Sequence, residues 1–128
     1  MIYGVGIDLV MTSRIEEALR RWGERFREKV FTAGEIQYCL HKRNPAPSFS
    51  ARFAAKEAFS KALGVGMRWG VHWKDVEVKR GPLGKPVLQL HGRAKELCRS
   101  ENIQGIFLSL THDRTFSSAM VVLERNSQ

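Results

Sequence analysis

Three stretches of the sequence carry residue types that can do chemistry. The first is Val5-Gly6-Ile7-Asp8, where a lone carboxylate follows an apolar run. Asp8 has two readings, a carboxylate at a strand end that caps the helix behind it or an oxygen ligand for a metal ion. The second is the run from Ala51 to Gly64, which holds Arg52, Lys56, Glu57 and Lys61. On a helix Glu57 and Lys61 stand four apart in the Glu-before-Lys order, and an exposed pair of that kind is worth about 0.3–0.5 kcal/mol. Against that plain reading, the helix is densely apolar around the pair, no acidic residue occurs between Glu35 and Glu57, and Lys42, Arg43, Arg52 and Lys56 accumulate in the same interval. A single carboxylate in a basic field suits a divalent cation held beside a phosphate group that the lysines and arginines also contact. Two carboxylates with phosphate oxygens and water make an ordinary magnesium shell.

The third stretch is Ser109-Leu110-Thr111-His112-Asp113, with hydroxyls alternating on one face of a strand and an imidazole at its rim. A local Ser-His-Asp triad is disfavoured, since residues so spaced on leaving a strand do not meet by default and no GxSxG elbow surrounds Ser109. Hydroxyls and a His that hydrogen-bond a phosphate or ribose fit better. The glycine pairs argue against two common nucleotide folds. Gly4-Val5-Gly6 lacks the third glycine of a dinucleotide fingerprint, Gly64-Val65-Gly66 follows a helix instead of opening one, and no GxxxxGK[ST] occurs. Both pairs read as turn or close-packing glycines, the second with room for a ligand.

The elements that must position these residues follow from periodicity. Residues 2–10 are β-rich and end at Thr12-Ser13, whose hydroxyls suit a helix N-cap. From Arg14 to about Lys29, Ile15, Ala18, Leu19, Trp22 and Phe26 recur at helical spacing, with Arg14, Arg21 and Arg25 on a neighbouring exposed stripe. Thr32 and Glu35 form a capping box, flanked by Phe31 and Ile36 as a hydrophobic staple, and open a short helix to about His41. The Lys42–Pro47 segment reads as a loop because of its two prolines, and a helix from Ser48 or Ser50 closes at Gly64. Strands are expected at 71–79, 86–91, 105–112 and 116–124, with a turn at Gly81-Pro82-Leu83-Gly84 and a short helix at 93–99. The order makes an α+β fold, a single domain over residues 1–128 with a mainly antiparallel sheet packed against helices.

Composition sets the outer bounds. At 128 residues and 43% hydrophobic content the chain suffices for one self-standing core and is too apolar for disorder. Cys39 and Cys98 show neither a CxxC pairing nor a zinc spacing and read as reduced thiols. The start lacks the basic and apolar regions of a signal peptide and no window approaches a membrane span, so a cytoplasmic protein is expected. The net charge of +8 draws polyanions, and nucleic acid, an acidic membrane, a phosphorylated small molecule or an acidic protein would each answer it.

Taken together, Val5-Gly6-Ile7-Asp8, the helix Arg52 to Ala62 and the closing Ser109-Leu110-Thr111-His112 resemble the holo-acyl-carrier-protein synthase family, the small bacterial type of phosphopantetheinyl transferase. The resemblance spans Gly4 to Glu124, and its KEAxxK element is the most specific part. It implies transfer of the phosphopantetheine arm of coenzyme A to a serine of apo-acyl carrier protein for fatty acid synthesis, with release of adenosine 3',5'-bisphosphate and a requirement for Mg2+. Asp8 and Glu57 match the family's metal-binding carboxylates, and Lys61 matches the lysine that contacts the phosphates. Arg52, Gly64, Ser109, Thr111 and His112 match positions associated with coenzyme A, and Gly84-Lys85-Pro86 resembles the stretch near the adenine. Thr111 stands where many relatives have Ser. The base for the serine proton stays open between a metal-bound water and one of the two carboxylates. The family implies a homotrimer with sites between neighbours, and an acidic carrier protein docked on Arg14, Arg21 and Arg25. That partner accounts for the charge with no nucleic acid and no membrane. The alternative reading is a small basic nucleic-acid-binding domain, which leaves Asp8 and Glu57 unexplained and lacks interleaved aromatics for base stacking.

Overall fold

Two glycines on the first strand decide how the central helix sits. In the computed structural model, which describes residues 1–68 and 70–126, β1 (Ile2–Met11) lies directly under α4 (Ala46–Leu63). A Cβ on Gly4 would stand 2.0 Å from the Ala62 carbonyl oxygen, and one on Gly6 would stand 1.9 Å from that of Ala58. These are close-packing glycines, as expected, and the small Ala54, Ala58 and Ala62 complete the fit from the helix side.

Between β1 and α4 run α1 (Thr12–Trp22), α2 (Glu24–Val30) and α3 (Ala33–Leu40). After α4 come β2 (Val76–Arg80), β3 (Pro86–Leu90), α5 (Gly92–Ser100), β4 (Ile103–His112) and β5 (Phe116–Arg125). The expected mainly antiparallel α+β architecture is what forms. Its strands divide into a three-stranded sheet ordered β1-β5-β4 and a separate β2-β3 hairpin, all antiparallel. The core lies between the larger sheet and the helices. Val10, Ile15, Phe49, Phe59, Val121 and Leu123 fill it, and Phe31 packs on Phe49 at 4.8 Å between ring centroids.

Four local expectations are corrected. The helix expected from Arg14 to Lys29 is two helices, because Gly23 takes φ +54° and ψ −127°, which no helix continues through. Thr12 is already helical rather than capping. Its amide donates to the Thr115 carbonyl at 2.8 Å, and its buried hydroxyl has no partner among the described residues. α4 begins at Ala46 and not at Ser48 or Ser50, since Pro47 lies in the first turn, where an amide hydrogen has no intrahelical acceptor. The strand expected over 71–79 is a 3-10 turn at Trp73–Asp75 followed by β2, with the Asp75 carboxylate accepting from the His72 amide at 3.1 Å. The Thr32 capping box forms as expected, Glu35 N donating to Thr32 Oγ1 at 3.2 Å and Thr32 N to Glu35 Oε1 at 2.9 Å.

Candidate functional site

Asp8 continues the parity of Gly4 and Gly6, so its side chain also faces α4. Lys61, in the last turn of that helix, donates to Asp8 Oδ1 at 2.9 Å and to the Ile7 carbonyl at 3.1 Å. The ammonium therefore bridges helix to strand, and the local Glu57–Lys61 pair considered from spacing gives way to this long-range bond. Glu57 stands half-buried beside them. Burial and the nearby Asp8 charge push its pKa up, and Lys61 and Arg14 offset only part of that rise. Two carboxylates thus share one spot at the end of β1, with Arg14 of α1 within electrostatic reach. Gly64 closes the helix just beyond, at φ +90°.

This donor set fits magnesium. Among the described residues no group of three or more His, Cys, Asp or Glu side chains assembles into a cage. Asp8 and Glu57 would hold an ion that keeps waters and accepts phosphate oxygens, and its charge would relieve the repulsion that raises Glu57.

A second cluster lies against the other end of α4. Arg52, Tyr38 and Lys42, together with Arg80 and His112, line a cleft of about 400 Å³ between α3, α4, β2 and β4. Arg52 is only 6% exposed. Its guanidinium stands 4.3 Å over the Tyr38 ring and donates to the Ser48 carbonyl at 3.4 Å, while its Nε is buried with no partner among the described residues. Arg80 donates to the Tyr38 hydroxyl at 2.7 Å, and Lys42 Nζ is 4.7 Å from the same ring. Burial pushes the Tyr38 phenol up, but Lys42, Arg80 and Arg52 together bring its pKa below the ordinary tyrosine value. Three cations around one ring, with no carboxylate in the lining, make a site for an anion.

Some expected site residues meet and others do not. His112 faces inward with Leu110 and lines the cleft with Arg52. Ser109 and Thr111 alternate with them onto the opposite, outer face of the sheet, in register with Met120 and Ser118 of β5. The hydroxyls and the imidazole therefore do not share one pocket within a chain. Asp113 Oδ1 accepts the amides of Thr115 and Phe116 at 2.8 and 2.7 Å, so it shapes the β4-β5 turn and is no triad partner. Lys85 and Pro86 sit on the β2-β3 hairpin outside the cleft lining, although Pro86 pairs across to Arg80. Arg14 and Arg21 are exposed on α1, and Arg25 is exposed on α2 beyond the break at Gly23.

Lys56 needs correction. Counted above as part of the basic field, it is fully buried and bonded to Glu35 at 2.8 Å, on the side of α4 that faces the core. Sequence reasoning missed Tyr38 and Arg80. The four-residue spacing of Tyr38 and Lys42 was the available signal for the first, and nothing local marks Arg80.

The outer face of the three-stranded sheet is apolar and uncovered. Val5 and Ile7 are 55% and 62% exposed, Leu9 is 63% exposed and Phe107 54% exposed, and all of them project from the same side as Ser109 and Thr111. A patch of this kind marks an interaction surface.

Comparison with known proteins draws these features together. Residues 4–115 match the family model described as the 4'-phosphopantetheinyl transferase superfamily. A holo-[acyl-carrier-protein] synthase of Geobacter sp. (strain M21) is 49% identical over 125 residues, covering 98% of this chain and 100% of that protein. The crystal structure of holo-[acyl-carrier-protein] synthase from Neisseria meningitidis matches with a TM-score of 0.91 at 31% identity, covering 98% of this chain and 100% of that one. The Helicobacter pylori holo-[acyl-carrier-protein] synthase, solved in complex with coenzyme A, matches with a TM-score of 0.83 at 35% identity, covering 94% of this chain and 99% of that one.

Proposed function

The chain belongs to the 4'-phosphopantetheinyl transferase superfamily, as an enzyme of its holo-[acyl-carrier-protein] synthase family, and on that premise we propose a magnesium-dependent transfer shared between neighbouring subunits. The phosphopantetheine arm of coenzyme A passes to a serine hydroxyl of apo-acyl carrier protein. The serine hydroxyl gives its proton to a base, its oxygen forms a bond to the phosphorus that carries the pantetheine, the bridging P–O bond breaks, and adenosine 3',5'-bisphosphate leaves with that bond's electron pair. The product serves fatty acid synthesis in the cytoplasm.

The observation that carries the reading is the convergence of Asp8, Glu57 and Lys61 where α4 lies on β1. Asp8 and Glu57 would hold the magnesium ion, which when bound offsets charge on the pyrophosphate. Lys61 has three donors and spends two on Asp8 and Ile7, leaving one for a phosphate oxygen. Its point charge stands where negative charge grows on the transferring phosphoryl group. Arg52, with an unmade donor, binds an anionic part of coenzyme A together with Lys42, Arg80 and His112. Gly64 leaves space at the end of α4, and the family resemblance assigns Lys85 and Pro86 to the adenine.

The exposed apolar outer sheet face, with Val5, Ile7, Leu9 and Phe107, supports association with further copies of the chain, and the homotrimer is the assembly that the family resemblance implies. That assembly would place Ser109 and Thr111, which face away from the cleft within one chain, at the seam with a neighbouring copy. Arg14, Arg21 and Arg25 offer an exposed basic face to the acidic carrier protein. The relatives give the nucleic-acid alternative no support.

The test is transfer itself. Purified protein, coenzyme A and apo-acyl carrier protein are combined with and without magnesium, and the mass of the carrier is read alongside the oligomeric state by light scattering. A magnesium-dependent gain of one phosphopantetheine by a trimer is expected. No gain with several carriers would overturn the reaction, and an active monomer would overturn the shared site.

A further inference from the structure

Lys56 precedes Glu57 in the chain, but one helical step of roughly 100° turns it out of the acidic cluster and into the core. There its ammonium spends every donor on a different element. It bonds Glu35 of α3 at 2.8 Å, the Trp73 carbonyl in the 3-10 turn at 3.1 Å, and the Val76 carbonyl at the start of β2. Glu35 is equally committed, its Oε1 also accepting from Thr32 N at 2.9 Å and its Oε2 from Val78 N at 2.7 Å. Both side chains are 0% exposed. A buried pair of this kind is weak support for stability, because well-packed apolar residues often serve as well or better. What an apolar pair cannot do is hold two carbonyls and two amides at fixed spacing.

The held atoms are in register with the basic cleft. Arg52 lies one turn before Lys56 on α4, Tyr38 lies one turn after Glu35 on α3, and Arg80 lies one strand repeat after Val78 on β2. These are the three residues whose mutual geometry makes the anion site, with 4.3 Å from Arg52 to the Tyr38 ring and 2.7 Å from Arg80 to its hydroxyl. We propose that Lys56 is a positioning residue, setting through Glu35 and β2 the spacing of Arg52, Tyr38 and Arg80 and hence affinity for the phosphates of coenzyme A. The inference rests on the function proposed above, which assigns that cleft to coenzyme A.

Binding of adenosine 3',5'-bisphosphate and steady-state turnover are measured on the wild type and on Lys56→Met with Glu35→Leu, an apolar replacement of the whole pair. The double variant is expected to melt lower than the wild type, because it leaves the Trp73 and Val76 carbonyls and the Thr32 and Val78 amides without these partners, and to stay folded at the assay temperature. Its Kd for the bisphosphate and its KM for coenzyme A rise at least about tenfold, while kcat at saturating coenzyme A and the KM for carrier protein change less than about twofold. A folded double variant with unchanged KM for coenzyme A would show the pair to be structural only and overturn the proposal. Should the double variant not fold, Glu35→Gln, which keeps the shape and removes the charge, decides by the same two readouts. A wild type that does not bind the bisphosphate overturns the cleft assignment itself, a result distinct from a wild type that binds and variants that bind equally.

Discussion

Asp8 and Glu57 are brought together by a single long-range contact, α4 lying on Gly4 and Gly6, whereas Arg52 draws its surroundings from α3, β2 and β4 as well as its own helix. The acidic cluster is accordingly a two-element site. Each residue there sits at a position set by local period, and one bond from Lys61 to Asp8 joins them. The basic cleft is a four-element site whose cations are held apart by the Tyr38 ring and by core bonds beneath it. The difference shows where each region is fragile. The first fails when a carboxylate or the helix–strand contact is lost, and the second fails by degrees as any of several elements drifts.

The sharpest break of the acidic region is Glu57→Gln, which removes one of two charges available to a cation. Transfer is expected to fall by roughly a thousandfold with the melting temperature held, and magnesium titration should show the loss of a metal-dependent step. A turnover unchanged from wild type would remove Glu57 from the proposed metal site. Next in size is Gly6→Ala. Its new methyl would lie 1.9 Å from the Ala58 carbonyl oxygen, so α4 must lift, at a cost of about 3 kcal/mol. Urea denaturation measures that loss, and both regions should weaken together because both hang from α4.

Arg52→Ala addresses the cleft alone and should raise the KM for coenzyme A by about thirtyfold while leaving that for carrier protein in place. Co-assembly turns the same variant into a test of the boundary between regions. Mixed oligomers of Arg52→Ala and Glu57→Gln chains, assayed at low coenzyme A, should recover activity that neither parent has if the two regions of different chains face each other. No recovery would put the whole site within one chain. The smallest effect is expected from Arg14→Glu with Arg21→Glu, an increase of about tenfold in the KM for carrier protein that shrinks as salt rises. An equal rise in the KM for coenzyme A would mean that α1 supports the site and does not dock a partner.

The acidic region was readable in advance to a degree that the cleft was not. Asp8, Glu57 and Lys61 stand out because a lone carboxylate in an apolar run and an acid in a basic interval are anomalies visible in one dimension. The capping box at Thr32 and the end of α4 at Gly64 also followed from local rules, whereas Gly4 and Gly6 read only as turn or close-packing glycines and α4 decided between the two. Misreadings arose where a local preference lost to its context. Gly23 divided a continuous apolar stripe into two helices, and Pro47 sat comfortably in a first turn that its usual role as a breaker had excluded.

The order of residues sets the chemistry on offer and the period of each element, because rotamer, turn and capping preferences act within a few residues. Tertiary packing alone decided which way each charge turned. It took Lys56 into the core beside Glu35, gave Lys61 to Asp8, set Ser109 and Thr111 on the sheet face opposite His112, and brought Arg80 to the Tyr38 hydroxyl. Those choices belong to contacts between residues far apart in the chain, and their energies exist only once the backbone that carries them has folded.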